Sequence, residues 1–363
     1  MGTNNIPLLT RDGAFGNRCI NDAAAARYIK TCKESYLDSI FNKEDFENLI
    51  EQDFEGDIIE PKYFVPIIPL LVINGSVGVS TGFAQKILPR NPTEVIKYIE
   101  GKLQNKKVRC DLSPYFVGYK GTIKHIEGSS YLICGNLNKI TNIKYEIDEI
   151  PHDYDLNKYV KILDQLVENK KIRKYQDFSN GNVFKFTILL PQDSPYINDQ
   201  ESFIRDLKLN RPITENYTSI DDDNTIQEYQ NIEQILDQYI DIRLNYYQKR
   251  KDTTMRNMLN QLKMLCSKYV FVKEIIEGNI EIKKKTYKQI EDQLVKNEKI
   301  VKINDSYDYL LRIPLYSITE EKYISLSKEI QDLGDQYKKL TNTSVNDMWL
   351  KDLNVLKKQL GNL

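Results

Sequence analysis

The chain has 363 residues, with 51 basic against 52 acidic side chains, and it is 40% hydrophobic and 28% charged. This length allows two or three domains with buried cores, and the composition is that of an ordinary soluble protein. The nearly balanced charge excludes a protein that is basic throughout, so any nucleic-acid surface has to be a local patch. The sequence has neither an apolar run long enough to span a membrane nor the pattern of a signal peptide, so we expect no membrane attachment.

The cysteines and histidines offer little material for a metal centre. The five cysteines are scattered and never spaced as CxxC, which favours free thiols in a reducing compartment. Only two histidines occur, His125 and His152, and neither lies near another ligand in the sequence. A zinc site or a serine triad is therefore not expected.

The N-terminal stretch combines a glycine-rich loop with an alanine run. "RDGAFGNR", residues 11–18, carries two glycines around a phenylalanine and is typical of a structured loop. In "DAAAARYIK", Asp22 is placed to cap a helix from Ala23 to Tyr28, because alanine is the best helix former. The acidic stretch that follows, residues 42–60, is interpreted as a solvated face and connector.

The next part of the chain predicts an α+β domain. "PKYFVPIIPLLVINGSVGVSTGF" is rich in β-branched residues, proline and glycine, which favours strands alternating with tight turns. Strand patterns ("GTIKHI", "SSYLICG", "IKYEIDEIP", "VFKFTILL") then mix with helical ones ("PTEVIKYIEGKLQ", "NKYVKILDQLVENKK") up to about residue 190. "NGSVGVSTG" is either an ordinary hairpin or a rigid loop whose backbone approaches a ligand while Val79 projects from it.

From about residue 225 the periodicity becomes helical. Apolar residues recur at alternating spacings of three and four at Ile232, Ile235, Tyr239, Ile242 and Tyr246, and again after the polar stretch "QKRKDTT". The same rhythm returns between Leu326 and Leu360. Such repeats predict long helices packed side by side, here an antiparallel coiled coil with a smaller helical unit, about residues 277–316, at its tip.

Two sequence patterns bear on whether the chain binds a cation or ATP. "SIDDDNT" could bind a divalent cation through Asp221, Asp222 and Asp223, but we favour a solvated loop that caps the following helix. No GxxxxGK[ST] motif occurs, so the sequence contains no Walker-type ATP site.

The pair Arg27-Tyr28 is the remaining chemical candidate. With 24 tyrosines in the chain, any one of them is more often a packing residue than a nucleophile. This one follows a permanent cation on a segment of small residues, and three further cations (Arg11, Arg18 and Lys30) lie nearby in the sequence. A phenol that attacks a phosphodiester needs help in losing its proton and a fixed positive charge at the phosphoryl oxygens.

Several motifs in this order resemble the type IIA DNA topoisomerases. "NNIPLLTRDGAFGNR…DAAAARYIKT" is similar to the active-site region of that family, in which a GxFG loop precedes Ala-Arg-Tyr. "EPKYFVPIIPLLVINGSVGVSTGFAQKILPRNP", "PYFVGYKGTI", "YEIDEIP", "YDYLLRIPLYSITEEKY" and "SVNDMWLKDLNVL" resemble its later segments. The resemblance covers essentially the whole chain and is greatest for the separate breakage-reunion subunit of T-even-type bacteriophage topoisomerases.

The resemblance implies roles for individual residues. Tyr28 matches the nucleophile that bonds to DNA, and Arg27 matches the neighbouring arginine that stabilises the transition state. Val79 stands where the family usually has an isoleucine that wedges between base pairs and bends the DNA. Contacts to the DNA backbone are further implied for Arg11, Arg18, Asn74 and Lys86.

The chain also departs from the family pattern. It begins at "MGTNN", past the earlier part of the family's winged-helix domain and its "HG" motif, so a truncated chain or a split gene product is expected. It has neither the acidic metal-binding (TOPRIM) domain nor the ATPase domain. In the phage-type arrangement these lie on a separate subunit, which would bind Mg²⁺ and ATP.

The expected architecture is an α+β multidomain chain. Residues 1–60 would hold the C-terminal part of a winged-helix domain and a connector, residues 61–225 an α/β tower domain, and residues 226–363 the coiled coil with a dimerising C-gate. The expected function is the DNA cleavage-religation subunit of a type IIA topoisomerase, acting as a homodimer on double-stranded DNA in the cytoplasm. A DNA-bending scaffold that has lost cleavage and a coiled-coil assembly protein without a DNA role remain the alternatives.

Overall fold

The computed structural model describes residues 4–20, 22–181, 183–221, 223–282, 285–303, 305–314 and 318–361. The chain divides into two compact units, each assembled from separate stretches. Unit 1 comprises Met1–Asn42, Val65–Arg243 and Leu350–Leu363, and unit 2 comprises Lys43–Phe64 and Leu244–Trp349. The three sequential domains expected from the sequence therefore stay a prediction.

Helices and strands alternate through the first two thirds of the chain, and helices dominate the last third. The α-helices are α1 (Leu37–Ile40), α2 (Leu70–Asn74), α3 (Pro92–Leu103), α4 (Leu156–Glu168), α5 (Gln200–Asp206), α6 (Ile232–Ile276), α7 (Tyr287–Val295), α8 (Asp308–Leu311), α9 (Glu320–Asn342) and α10 (Val345–Leu360). Single 3₁₀ segments occur at Ala26–Tyr28, Lys43–Asn48 and Pro195–Ile197. The strands are β1 (Gln52–Phe54), β2 (Asp57–Ile59), β3 (Ser76–Ser80), β4 (Phe83–Ile87), β5 (Thr122–Glu127), β6 (Ser130–Cys134), β7 (Asn136–Lys139), β8 (Lys144–Glu149), β9 (Lys174–Asp177), β10 (Phe186–Leu189), β11 (Asn210–Thr214), β12 (Thr218–Ile220) and β13 (Ile226–Glu228).

The largest core of unit 1 lies on a four-stranded antiparallel sheet of order β7–β8–β10–β9. Alternate residues of β8, Tyr145 and Ile147, are buried opposite Ile188 and Phe186 of β10, as expected for a sheet with one covered face. Helix α4 contributes to the same core through Tyr159, Ile162, Leu163 and Leu166. Burial of each large apolar side chain contributes about 1.5–3 kcal/mol to the free energy of folding, so this core stabilises the sheet.

A second sheet has three strands in the order β11–β6–β5, and strand β4 of the hairpin β3–β4 contacts β12. Arg90 and Glu215, both fully buried, join the segment after β4 to the segment after β11, with Nη2 and Oε2 2.7 Å apart. The Glu215 carboxylate also accepts hydrogen bonds from the Leu88 backbone N–H at 2.6 Å and from the Tyr217 hydroxyl at 2.7 Å. These contacts attach the segment after β4 to the buried Glu215 side chain.

Unit 2 is mainly helical. Within it, Lys251 of α6 donates to the carbonyl oxygens of Thr341 and Thr343 near the end of α9, and Tyr269 of α6 stacks on Tyr323 near its start, with ring centroids 4.5 Å apart. The two helices therefore run antiparallel. A small core that includes Phe271, Leu294 and Leu310 joins the end of α6 to α7 and α8.

Most elements predicted between residues 92 and 190 are confirmed. Helices α3 and α4 and strands β5, β6, β8 and β10 lie within the segments that the sequence patterns indicated or extend one residue beyond them. The stretch "NGSVGVSTG" forms β3 and the turn of the β3–β4 hairpin. Helix α6 continues through the polar stretch "QKRKDTT" without interruption. No described helix is long and apolar enough to cross a membrane.

Two local predictions are wrong. The helix expected from Ala23 to Tyr28 is a single 3₁₀ turn at Ala26–Tyr28, preceded by non-helical residues. The Asp221 loop, expected to cap a helix, instead closes the β12–β13 hairpin, where its carboxylate accepts from the Thr225 and Asp223 backbone N–H groups. Asp222 of that loop, and residues 315–317 at the end of the expected tip unit, lie outside the described residues.

Candidate functional site

The Arg27-Tyr28 pair lies on the 3₁₀ turn Ala26–Tyr28, where both side chains are exposed. Tyr28 exposes 67% of its surface, and the Arg27 guanidinium carbon lies 4.8 Å from the centroid of its ring. A hydroxyl this accessible can be approached by a large substrate, with a fixed positive charge beside it. The arrangement therefore retains the two features that phosphodiester chemistry requires of the pair.

The turn is held by pairing with the glycine-rich loop. The backbone N–H of Lys30 donates to the Asp12 carbonyl at 2.8 Å, the Asp12 N–H donates back at 3.1 Å, and the Ala24 N–H donates to the Ala14 carbonyl at 2.9 Å. These bonds take the place of the i→i−4 bonds that a helix would need, and four alanines cannot nucleate a helix on their own. This is why the alanine run, despite its propensity, is not helical.

Gly13 makes this close pairing sterically possible. Its φ is +103°, and a Cβ at this position would lie 2.8 Å from the carbonyl oxygen of Tyr28. The sequence indicated a loop here but gave no sign of which glycine meets the tyrosine. Gly13 is therefore a residue of the site that sequence reasoning missed.

Arg18 faces the protein rather than solvent. Its guanidinium forms an ion pair with Glu149 at 3.1 Å and donates to the backbone carbonyls of Ile150 and Pro151 at 2.8 and 3.2 Å. The Arg18 carbonyl also accepts from the Leu156 N–H at the start of α4. Arg18 thus anchors the glycine-rich loop to the four-stranded sheet, and its expected contact with DNA stays a prediction.

The Asn74 side chain forms hydrogen bonds with the backbone of Ile6. Its side-chain oxygen accepts from the Ile6 N–H at 2.8 Å, and its amide nitrogen donates to the Ile6 carbonyl at 3.0 Å. This pair of bonds ties the N-terminal segment to the end of α2. The expected contact of Asn74 with DNA would have to compete with both bonds.

The hairpin β3–β4 presents an apolar tip. Val79 exposes 87% of its surface and is paired with Ala84, and the exposed Val77 is paired with Lys86. Directly opposed residues of an antiparallel pair share a face, so Val77, Val79 and Lys86 lie on one face of the hairpin. An exposed valine at a hairpin tip beside a lysine suits insertion into a partner that carries negative charge.

The opposite face of the hairpin is braced. Gln85 accepts from the Ser76 hydroxyl and donates to the Thr218 carbonyl of β12, both at 2.6 Å, and the backbone groups of Lys86 and Asn216 exchange hydrogen bonds. Hydrogen bonds from Gln85 and Lys86 therefore hold the hairpin, while Val79 near the turn stays exposed. No motif in the sequence indicated that Gln85 links the hairpin to β12.

The site is positively charged through four exposed or half-buried cations: Arg11, Arg27, Lys30 and Lys86. None of them forms an ion pair with another residue that the structure describes. Within the described ranges no hydrogen bond or ion pair joins the Tyr28 turn to the β3–β4 hairpin. The described residues also contain no group of three or more His, Cys, Asp or Glu side chains that could hold a metal ion.

The family model that describes the A-type subunit of DNA gyrase/topoisomerase IV matches residues 1–354, and the chain belongs to this family.

Relatives and a solved structure agree with this assignment. The DNA topoisomerase medium subunit of Enterobacteria phage T4 is 29% identical over 360 residues, which cover 98% of this chain and 79% of that subunit. The mitochondrial DNA topoisomerase 2 of Dictyostelium discoideum is 29% identical over 371 residues, 99% of this chain but 29% of that protein. The crystal structure of the Plasmodium falciparum topoisomerase II DNA-binding, cleavage and re-ligation domain superposes with a TM-score of 0.86 at 28% identity, covering 99% of this chain and 53% of that one. The chain thus spans about three-tenths of the cellular DNA topoisomerase 2 relative.

Proposed function

We propose that this chain is the DNA cleavage-religation subunit of a type IIA topoisomerase. The observation that carries the proposal is the exposed Tyr28 beside Arg27, within a chain that matches the DNA gyrase/topoisomerase IV family model over residues 1–354. The T4 relative, which the chain matches over 79% of its length, is itself a separate subunit of a topoisomerase.

The proposed reaction is a reversible transesterification. The Tyr28 oxygen loses its proton and attacks a DNA phosphorus, forming a 5′-phosphotyrosyl bond while the 3′ oxygen leaves and takes up a proton. Because one phosphodiester replaces another, resealing needs no ATP. Arg27 stabilises the extra negative charge on the phosphoryl oxygens in the transition state.

Magnesium would supply Lewis-acid stabilisation of the phosphate and of the leaving oxygen. As in the phage-type arrangement that the sequence resembles, we assign the ion to a separate subunit that carries the TOPRIM and ATPase domains. ATP binding is assigned to the same subunit. This chain's residues bind and orient the DNA and provide the nucleophile.

The β3–β4 hairpin is the proposed DNA-bending element. Val79 would enter a base step from the hairpin tip, and Lys86 on the same face would contact a phosphate. Unstacking a step costs a few kcal/mol, which is offset by the larger surface that bent DNA can contact. Arg11 is the further candidate for a backbone contact, since its side chain is exposed.

The helical part of the chain is the proposed exit path for a second duplex. The antiparallel contacts between α6 and α9 support a coiled coil, and the core around α7 and α8 supports a C-gate at its tip. Two copies would pair there, so that each DNA strand meets one Tyr28. The winged-helix and tower assignments for the earlier residues belong to the same proposal, as does association with DNA in the cell.

The test is a cleavage assay with plasmid DNA, magnesium and the separate ATP- and metal-binding subunit. Detergent added during the reaction should trap the wild-type chain on 5′ ends of double-strand breaks, and Tyr28→Phe should trap none. Tyr115→Phe, which removes a hydroxyl from another part-exposed tyrosine, serves as the matched control. If the wild type binds DNA without ever linking to it, the alternative of a non-cleaving scaffold replaces this proposal.

A further inference from the structure

Arg18 is the last residue of the glycine-rich loop, and its side chain is mostly buried, with 19% exposed. One branch of the guanidinium pairs with Glu149 at 3.1 Å, and the other donates to the carbonyls of Ile150 and Pro151 at 2.8 and 3.2 Å. Its central carbon lies 4.7 Å from the centroid of the buried Phe184 ring. A planar guanidinium with partners on both branches and a ring against its face is held in a single geometry.

The carboxylate that pairs with Arg18 is held by the backbone. Glu149 is the last residue of β8 and is buried. Its Oε1 accepts from the Ile150 N–H at 3.0 Å, and its Oε2 accepts from the Lys120 N–H at 3.2 Å. Loss of either charge would leave a largely buried charge without its partner, which disfavours the present geometry. The Arg18–Glu149 pair is therefore a firm attachment between the glycine-rich loop and the four-stranded sheet.

The backbone around Arg18 is attached to the same part of unit 1. The Arg18 carbonyl accepts at 2.8 Å from the N–H of Leu156, the first residue of α4, which has no acceptor within its own helix. The next residue, Cys19, is buried in the core on the four-stranded sheet. The Asn17 side-chain oxygen accepts from the N–H groups of Cys19 and Ile20 at 2.8 and 2.7 Å. Side chain and main chain thus hold this end of the loop together.

The opposite end of the same loop holds the Tyr28 turn. Ala14, four positions before Arg18, accepts from the Ala24 N–H at 2.9 Å. Gly13 lies against the Tyr28 carbonyl, where a Cβ would be 2.8 Å from the oxygen. A shift at Arg18 is therefore passed along a short segment to the nucleophile candidate. Since misplacement of a reacting group by about 1 Å can cost about 10²-fold in rate, the attachment of Arg18 bears on the reaction without any contact to DNA.

We propose that Arg18 and Glu149 are positioning residues for the Tyr28 nucleophile, which they hold in place through the glycine-rich loop. The inference rests on the proposed function, since it takes Tyr28 to be the nucleophile. A positioning pair and a direct phosphate contact by Arg18 predict different results. Loss of a positioning pair lowers the rate of cleavage at unchanged DNA affinity, and each residue needs the other. Loss of a phosphate contact lowers the affinity and its salt dependence, whatever the residue at position 149.

The test measures two quantities on a labelled short duplex: the dissociation constant of the full chain by fluorescence anisotropy, and the single-turnover cleavage rate at saturating DNA with magnesium and the separate subunit. Arg18→Ala and Glu149→Gln should each lower the rate about tenfold to 10²-fold, with dissociation constants within about twofold of the wild type. The double variant should lose no more than the slower single variant, because the two residues act as one unit. Arg18→Lys keeps the charge but lacks the planar fork, so it should recover only part of the rate.

Glu146→Gln is the matched control. Glu146 lies on the same strand as Glu149 and pairs at 3.3 Å with Lys185, which is not part of the loop. This variant should retain both the cleavage rate and the dissociation constant of the wild type. Thermal unfolding checks that each variant is folded, and Arg18→Lys and Glu149→Gln provide the reading if Arg18→Ala is not.

Three results would overturn the positioning role: wild-type cleavage rates in both single variants, losses that multiply in the double variant, or weaker DNA binding by Arg18→Ala that Arg18→Lys restores in full. The last of these would make Arg18 a phosphate contact. Covalent linkage of the wild type to DNA, together with any of these three results, removes this inference alone. A wild type that never links to DNA removes the proposed function, and the positioning role falls with it.

Discussion

The backbone carbonyl of Tyr28 lies against Gly13, so close that a Cβ on Gly13 would be 2.8 Å from its oxygen. The nucleophile candidate is therefore positioned by a residue fifteen places earlier, through backbone contact and not through its own helix. Two properties of Gly13 are needed at once, its positive φ and its missing side chain.

Gly13→Ala should displace the Tyr28 turn. The positive φ alone costs about 1–3 kcal/mol in a residue with a side chain, and relief of the clash requires the turn to move. Misplacement of a catalytic group by about 1 Å can cost about 10²-fold in rate, so we expect a loss of this order in cleavage with DNA binding retained. The measurement is the single-turnover cleavage rate on a short duplex.

Gly128→Ala is the control for that experiment. Gly128 also has a positive φ, +55°, but a Cβ there meets nothing within 4 Å. This variant should lose stability without losing cleavage in the folded fraction. Equal cleavage losses in the two variants would show that backbone strain alone, and not contact with Tyr28, explains the effect.

Val79 should set the extent of DNA bending. Val79→Ala removes two methyl groups, each worth about 0.8 kcal/mol when buried, and should shift the bending equilibrium about tenfold toward straight DNA. Val79→Ile adds one methylene and should shift it about fourfold the other way. Energy transfer between the labelled ends of a short duplex measures the bend.

Ile140→Ala is matched to Val79→Ala, because it shortens another exposed aliphatic side chain away from the hairpin. It should leave the bend unchanged. If all three variants bend DNA like the wild type, Val79 is not the inserting residue.

The sequence predicted those parts of the fold whose determinants are local. Helix α3 has its cap at Asn91 and a proline in its first turn, and α4 has its cap at Asp155, so both were recognisable from neighbouring residues. The Tyr28 turn was mispredicted as a helix because its hydrogen bonds go to residues 12 and 14, which alanine propensity does not register. The partners of Arg18 and Asn74, Glu149 and Ile6, are 131 and 68 residues away in the chain, so the sequence did not indicate these hydrogen bonds. The contacts of both residues with DNA stay predictions.

Breaking the buried Arg90–Glu215 pair should be strongly destabilising. Glu215→Gln leaves the Arg90 guanidinium buried without its countercharge, which costs about 3–5 kcal/mol in the free energy of unfolding. Asp38→Asn, in the exposed pair Lys33–Asp38, should cost less than about 1 kcal/mol. Urea unfolding of both variants checks the prediction, and similar losses for the two would contradict it.

His152 should make the stability of unit 1 depend on pH. Burial lowers the pKa of this side chain from 6.5 to about 3, with a further contribution from the positive charge of Arg18, and the ring stacks on Phe116 at 3.7 Å. Between pH 3 and pH 6.5 the His152 ring is therefore protonated in the unfolded chain and neutral in the folded chain. Stability contributed by the neutral ring is therefore complete above about pH 6.5 and falls as the pH drops toward 3, by up to about 1.4 kcal/mol per unit.

His152→Phe should flatten this pH dependence, because phenylalanine can stack on Phe116 but cannot take up a proton. His125 provides the matched control, since it is the only other histidine of the sequence and is exposed. His125→Gln should therefore retain the wild-type slope between pH 4 and 6.5 in urea unfolding measured at several pH values. A slope that disappears with His125→Gln and survives His152→Phe would place the titrating group on the β5–β6 hairpin and contradict the assignment to the buried ring.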